Sequence, residues 1–244
     1  MKQHNKKLFE KIIQKITNGN LNRGREIIKK FISNLSYKKV LDLGAGEGID
    51  LEMALKKNPQ AKVYAVENYP PFLEKLKHKN IQSFNLNLEN STLPFHNEEM
   101  DLIIINQVLE HTKEIFWIFH EMNRVLKKNG HIIIGVPNLA SFHNRLLLFF
   151  GEQPSCIFLD SAHLRGFTKG ELERFAKIGN LKLVRISGSN FYPFPPLIAN
   201  FLSKLFPNLS VGIFLVFQKN KDYDNEYLAF PADNKLETNF FVGK

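Results

Sequence analysis

The sequence predicts an α/β fold: a seven-stranded, mostly parallel sheet with an antiparallel last strand, helices on both faces and a helical cap at the N-terminus. Three observations lead there. Short apolar runs alternate with helical patterns from residue 39 to residue 178. The first run, Val40-Leu41-Asp42-Leu43, has the character of a strand covered on both faces, and it enters a turn with Gly44, Gly46 and Gly48 at every second position. The chain has 244 residues, 43% of them hydrophobic, enough for one globular α/β domain with a sizeable core.

The elements follow in order. Leu8, Phe9, Ile12, Ile13 and Ile16 share one face of a helix over 6–17, lysines lie opposite, and Asn18-Gly19-Asn20 ends it. Ile27, Ile28, Phe31, Ile32 and Leu35 mark a second helix. These two make the expected cap, residues 1–35, ahead of a domain over 36–219 and a tail over 220–244. Strand one is 39–43; the helix after it, 50–57, turns Leu51, Ala54 and Leu55 inward. Strand two is 62–67. Pro70-Pro71 opens a helix to residue 79. Strand three is 81–86 and strand four 101–106. A helix over 113–127 carries Ile115, Phe116, Phe119, Met122 and Leu126 inward. Lys128-Asn129-Gly130 then turns the chain into strand five, 131–136, which Pro137 stops. Thr168 caps a helix over 169–178, with Glu171 at the capping-box position. Strand six is 181–187 and strand seven 211–217, an antiparallel edge. The tail reads as loose, with Phe230, Phe240 and Phe241 as docking points. Two apolar stretches, 139–150 and 191–206, read either as core or as a hydrophobic acceptor channel or membrane-touching surface.

The formal net charge is +9, but it is unevenly placed. Residues 1–39 hold eleven Lys and Arg against two acids, whereas residues 40–218 hold eighteen against seventeen. The body is nearly neutral, so nucleic acid is not the favoured partner. The basic segment reads as a solvated helical face, with peripheral contact to an anionic membrane as the competing reading. One cysteine, no apolar h-region behind the basic N-terminus and no run of 18 apolar residues give the expectation of a cytoplasmic protein.

What lies on the glycine turn is narrowed by exclusion and by charge. A nicotinamide fingerprint requires glycine at 49, where Ile49 stands, and a P-loop requires a Gly-Lys-Ser/Thr ending that is missing. From Val40 to Leu55 there are four acids (Asp42, Glu47, Asp50, Glu52) and no Lys or Arg, which suits a cationic ligand rather than a polyphosphate. Glu67 ends the second strand nineteen residues after Gly48, where a carboxylate accepts hydrogen bonds from both hydroxyls of a ribose.

Over roughly residues 36–219 these features resemble the class I S-adenosylmethionine-dependent methyltransferases, with their Rossmann-like sheet. Within them, the chain looks like the small bacterial type with Leu-Glu-His (Leu109-Glu110-His111) after the fourth strand. The resemblance implies S-adenosylmethionine as cofactor. Gly44, Ala45, Gly46 and Gly48 approach its methionyl part, with Asp42 beside the amino group. Glu67 takes the ribose, Asn68 lies beside the adenine, and Asn87 and Leu88 read the adenine edge, with Glu89 as the alternative to Asn87. Asn106 and Gln107 lie under the methionyl group. His111 is the candidate general base, its imidazole titrating near neutrality. The segment Asp160 to Thr168 lies over the acceptor in look-alikes, making His163 and Arg165 acceptor-pocket candidates, with His143 on the preceding helix. Some relatives bind a divalent cation through Glu-x-x-Glu-His. Here the first acid is Gln107, a poorer ligand for a hard cation, so no metal is assigned. The acceptor expected is a small molecule, an oxygen nucleophile slightly favoured, with a glycan or lipid-linked intermediate in range. The competing readings are an inactive binding module of the same fold and, more remotely, an RNA methyltransferase or a nicotinamide-dependent enzyme.

Overall fold

The computed structural model of the chain describes residues 24–243. The helix expected over 6–17 lies outside the described residues. A seven-stranded sheet runs in the order β3-β2-β1-β4-β5-β7-β6. Its strands are β1 (Lys39–Leu43), β2 (Lys62–Glu67), β3 (Gln82–Asn85), β4 (Met100–Asn106), β5 (Leu126–Pro137), β6 (Leu181–Ser189) and β7 (Gly212–Lys219). β1 to β5 are parallel, and β7 pairs antiparallel with both β5 and β6.

Strand alternation sorts the apolar residues onto two faces. Leu41, Leu43, Ile103 and Ile105 face one core, built with α4 (Ile115–Val125), α6 (Lys169–Ile178) and α8 (Glu226–Asp233). Val40, Leu102, Ile104 and Ile133 face the other, built with α1 (24–33), α2 (Ile49–Lys57) and α3 (Pro70–His78). The N-terminal helix α1 earns its place by burying Ile28, Phe31 and Ile32 there. Because β1 and β4 are neighbours whose following helices leave to opposite faces, a crevice opens at the carboxyl ends of these strands.

Two elements differ from expectation. The helix expected over 113–127 ends at Val125, and strand character begins at once at Leu126 rather than after a turn at 128–130. Leu126 pairs with Met100, the register then slips, and pairing resumes at Leu102 with His131. Asn129, at φ 65°, takes up the slack, and the Lys127 ammonium holds Asp101 at 2.7 Å. The tail, in turn, is not loose over its whole length. It forms α8, whose Tyr227 is fully buried between α4 and α6 and donates its hydroxyl to the carbonyls of Phe175 and Ala176 at 3.1 and 3.2 Å. Phe230 and Phe240 both pack on Phe116.

The end of α4 is closed from a distance. Lys219, the last residue of β7, is 1% exposed, and its ammonium donates to the carbonyls of Asn123 (3.0 Å) and Leu126 (2.8 Å) and to Glu98 Oε1 (3.2 Å). A cation thus meets the carbonyls that a helix leaves without partners at its C-terminus.

The remaining helices, α5 (Phe142–Phe149) and α7 (Pro196–Leu205), come from the two apolar stretches and sit beside the edge formed by the carboxyl ends of β5 and β6 and the amino end of β7.

Candidate functional site

The glycine turn has three left-handed glycines: Gly44 at φ 69°, Gly46 at φ 53° and Gly48 at φ 77°. Each has a different neighbour. A Cβ on Gly44 would run into Val108, and one on Gly48 would meet Leu76 and Ile81 at 2.7 and 2.9 Å. A Cβ on Gly46 would find only the Phe72 ring, 3.9 Å away. Gly44 and Gly48 are therefore glycine for packing, and Gly46 is the one that opens onto free space. The turn hangs on β2: Gly44 N–H and Ala45 N–H both donate to Val66 O, and Gly46 N–H donates to Glu67 Oε2 at 2.8 Å. Glu67 Oε1 accepts from the N–H groups of Asn68 and Tyr69 at 2.8 and 2.9 Å. Three amides hold the carboxylate in one orientation; Oε1 has both its lone-pair sites engaged, and Oε2 keeps one for a further donor.

A pocket of about 340 Å³ lies over this turn. Gly44, Gly46, Glu67, Asn68, Asn87, Leu88 and Gln107 all line it, as does His111. So the structure brings seven of the expected cofactor residues and the candidate base into one space. Asp42 is buried at the end of β1 and does not line the pocket, Asn106 lines the neighbouring cavity instead, and Ala45 and Gly48 support the turn without lining the pocket. Glu89 lines it too, but its Oε1 accepts from the N–H groups of Lys113 and Glu114 at the start of α4, at 2.6 and 3.0 Å. Asn87, by contrast, has an exposed side chain. Phe72 and Val108 complete the lining and were not anticipated; Phe72 follows the two prolines that start α3 and offers an apolar wall.

Below the turn is an acidic floor. Asp42 is 2% exposed, and its carboxyl is held well above the usual carboxylate range by burial, then by the nearby Asp50 and Glu67 charges. Asp50, one of the four acids of this stretch, is 7% exposed beside it. Its Oδ2 accepts from Asn106 Nδ2 at 3.2 Å, and burial raises its carboxyl as well. Asp50 Oδ1 and Asn106 Oδ1 are both buried without a hydrogen-bond partner. Two buried acceptors with no donor are costly unless a donor arrives. They fit the ammonium end of an amino-acid-like ligand.

Gln107, at φ 57°, closes the floor and lines a second cavity of about 260 Å³ on its other side. Arg25 of α1, Ser189, Asn190, Gly212 and Phe214 line that cavity. The two spaces adjoin at one residue.

At the other rim lies a Glu-His-His cluster. His111 Nδ1 is 3.1 Å from Ala162 O, and His163 Nδ1 is 2.8 Å from Cys156 O. A carbonyl only accepts, so Nδ1 carries the proton in both rings, and in the neutral form Nε2 keeps the lone pair. The rings meet edge to face at 4.8 Å between centroids. Glu110, 1% exposed, has one oxygen with no partner, and burial raises its carboxyl to about 7. Ligand atoms of Glu110, His111 and His163 lie within 4.8 Å of one another, so this group is the metal-capable set among the described residues. Imidazoles with one carboxylate suit a transition ion better than magnesium.

Arg165 and His143 lie elsewhere. The Arg165 guanidinium donates to the carbonyls of Thr112 and Lys113 and lines a separate cavity against α4 and α6. His143 contacts the hydroxyls of Ser141 and Ser155 and lines neither of the two adjoining spaces.

Residues 41–134 match the family model for a methyltransferase domain. An uncharacterized protein of Methanocaldococcus jannaschii is 43% identical over 54 residues, which is 22% of this chain and 26% of that protein. A malonyl-[acyl-carrier protein] O-methyltransferase of Legionella pneumophila is 28% identical over 117 residues, 43% of this chain and 40% of that protein. The chain thus spans about two fifths or less of the curated relatives it matches. The fold is shared with the Burkholderia thailandensis 1,6-didemethyltoxoflavin-N1-methyltransferase, solved with S-adenosylhomocysteine bound: TM-score 0.58, 15% identity, 90% of each chain covered.

Proposed function

We propose that this chain, which carries a class I S-adenosylmethionine-dependent methyltransferase domain, moves the methyl group to a small-molecule acceptor held in the cavity beyond Gln107. The observation that carries this reading is the adjacency of two spaces at one residue: Gln107 lines both the pocket over the glycine turn and the second cavity. A transfer reaction needs two ligands end to end, and most of its rate comes from holding them in line and dry.

When bound, S-adenosylmethionine supplies an electrophilic methyl on a sulfonium. The chain's own residues do the rest. Glu67 would accept from a ribose hydroxyl at Oε2 while three backbone amides hold it in place. Asp50 Oδ1 and Asn106 Oδ1 accept from the ammonium, with Asp42 below. Asn68, Asn87 and Leu88 take the adenine side, with Phe72 as its apolar wall. His111, its Nδ1–H fixed on Ala162 O, presents Nε2 as the base for an acceptor proton. His163 meets it edge-on at the same rim. Arg165 and His143 act as positioning residues, holding the 112–113 loop and the start of α5.

A base at the rim favours an oxygen acceptor, because a hydroxyl must lose its proton as the bond forms. A glycan or lipid-linked hydroxyl compound fits this description. The test is release of S-adenosylhomocysteine with a panel of phenols, sugar alcohols and amines. Turnover with hydroxyl compounds, lost in His111→Ala, is the expected outcome; turnover with amines alone would overturn the oxygen assignment.

A further inference from the structure

Two helices beside the second cavity end in large apolar side chains that the described chain leaves uncovered. On α5 and its C-cap, Phe149 and Phe150 are 82% and 75% exposed; on α7, Leu197 and Phe201 are 86% and 62% exposed. Single exposed apolar residues are ordinary, but a group of this size is not. The start of α5 packs on the segment that leads into α7. Phe142 stacks on Phe191 with ring centroids 5.8 Å apart, and His143 meets Tyr192 edge-on at 5.5 Å.

The face also has a sign. Residues 139–151 and 190–211 contain Arg145 and Lys204 and no Asp or Glu. Residues 1–23 hold six Lys and Arg against one acid, and the segment joins the body at Gly24, which lines the second cavity with Asn190 and Gly212. Glu152, exposed just past α5, offsets one of these cations; large apolar side chains with the remaining cationic excess match an anionic bilayer surface. A second copy of the same face would bring like charges together.

We infer that the α5–α7 face docks on anionic lipid bilayers as a shallow, monotopic contact, placing the second cavity at the membrane surface. No helix among the described residues is long and apolar enough to cross a bilayer. Delivery of a lipid-borne acceptor to that cavity rests on the methyl-transfer reading above; the docking does not.

The experiment is flotation of the full chain with phosphatidylcholine vesicles, with and without phosphatidylglycerol, in low and high salt. Titration with S-adenosylhomocysteine on the same preparations reports the fold and the cofactor site. The wild type should float with the phosphatidylglycerol vesicles and lose ground in high salt. Replacing Phe149→Glu together with Phe201→Glu should lower the partition constant by about a hundredfold, with the nucleoside titration unchanged. Leu197→Asp, at a still more exposed position, serves if the double variant does not fold, and should also weaken flotation. Three outcomes overturn the docking: a wild type that does not float, variants that float as well as wild type, or a wild-type dimer by light scattering that the same substitutions dissolve. Flotation without any nucleoside binding leaves the docking standing and removes the methyl-transfer reading instead.

Discussion

The carboxylate of Glu67 accepts the backbone N–H of Gly46 at 2.8 Å, tying the acid that ends β2 to the middle of the turn that follows β1. One side chain thus shapes the pocket and faces its contents. Glu67→Ala removes both functions. S-Adenosylhomocysteine should bind more weakly by roughly 1.5–3 kcal/mol, measured by titration calorimetry. Unchanged affinity would remove the ribose role.

The three turn glycines should not respond alike. Gly48→Ala forces a left-handed alanine against Leu76 and Ile81, at a cost of about 2–4 kcal/mol in urea unfolding. Gly46→Ala has room for its methyl and should cost about 1–2 kcal/mol, from the left-handed backbone alone, while lowering nucleoside affinity more than Gly48→Ala does. A reversed order in either measurement would contradict the packing described.

Glu110 makes stability fall as pH rises. Its carboxyl is raised from 4.5 to about 7 in the folded chain. Between those values the folded state binds more protons than the unfolded one, so stability declines over pH 4.5 to 7 and is level above. The full swing is about 3 kcal/mol. Glu110→Gln should remove that share of the slope, seen as a shallower fall of Tm across the window, with Asp42 and Asp50, also raised by burial, supplying the rest.

His111 and its neighbours separate two chemistries. If His111 acts as a base alone, His111→Ala lowers kcat by about 10²–10⁴, leaves nucleoside affinity within about twofold, and chelator has no effect on the wild type. Rate lost to chelator and restored by a transition ion would assign Glu110, His111 and His163 to a metal instead.

Tyr227 tests the C-terminal segment. Tyr227→Ala empties a fully buried site between α4 and α6 and should cost about 3–5 kcal/mol. Tyr227→Phe loses only the two carbonyl contacts, about 1 kcal/mol.

The sheet was legible because each strand is a local apolar run, and the turn because glycine spacing and the following acid are local too. What escaped the sequence depends on distant partners. Asp50 finds its hydrogen-bond partner in Asn106, 56 positions away. Helix α8 contains Pro231 and a weak apolar stripe, and owes its place to Phe116, Phe119 and Phe175 on other helices. Arg165 and His143 have pocket chemistry by type, yet nearby carbonyls and hydroxyls engage them first.

Lys219 has a consequence for synthesis. The ribosome delivers β5 long before β7, yet β7 is the strand that covers β5's open side, and its final ammonium closes α4. Until residue 219 has left the exit tunnel, a growing chain carries β5 with one open edge and an unfinished helix. Closure of α4 therefore waits on a residue made about 90 positions after the helix itself.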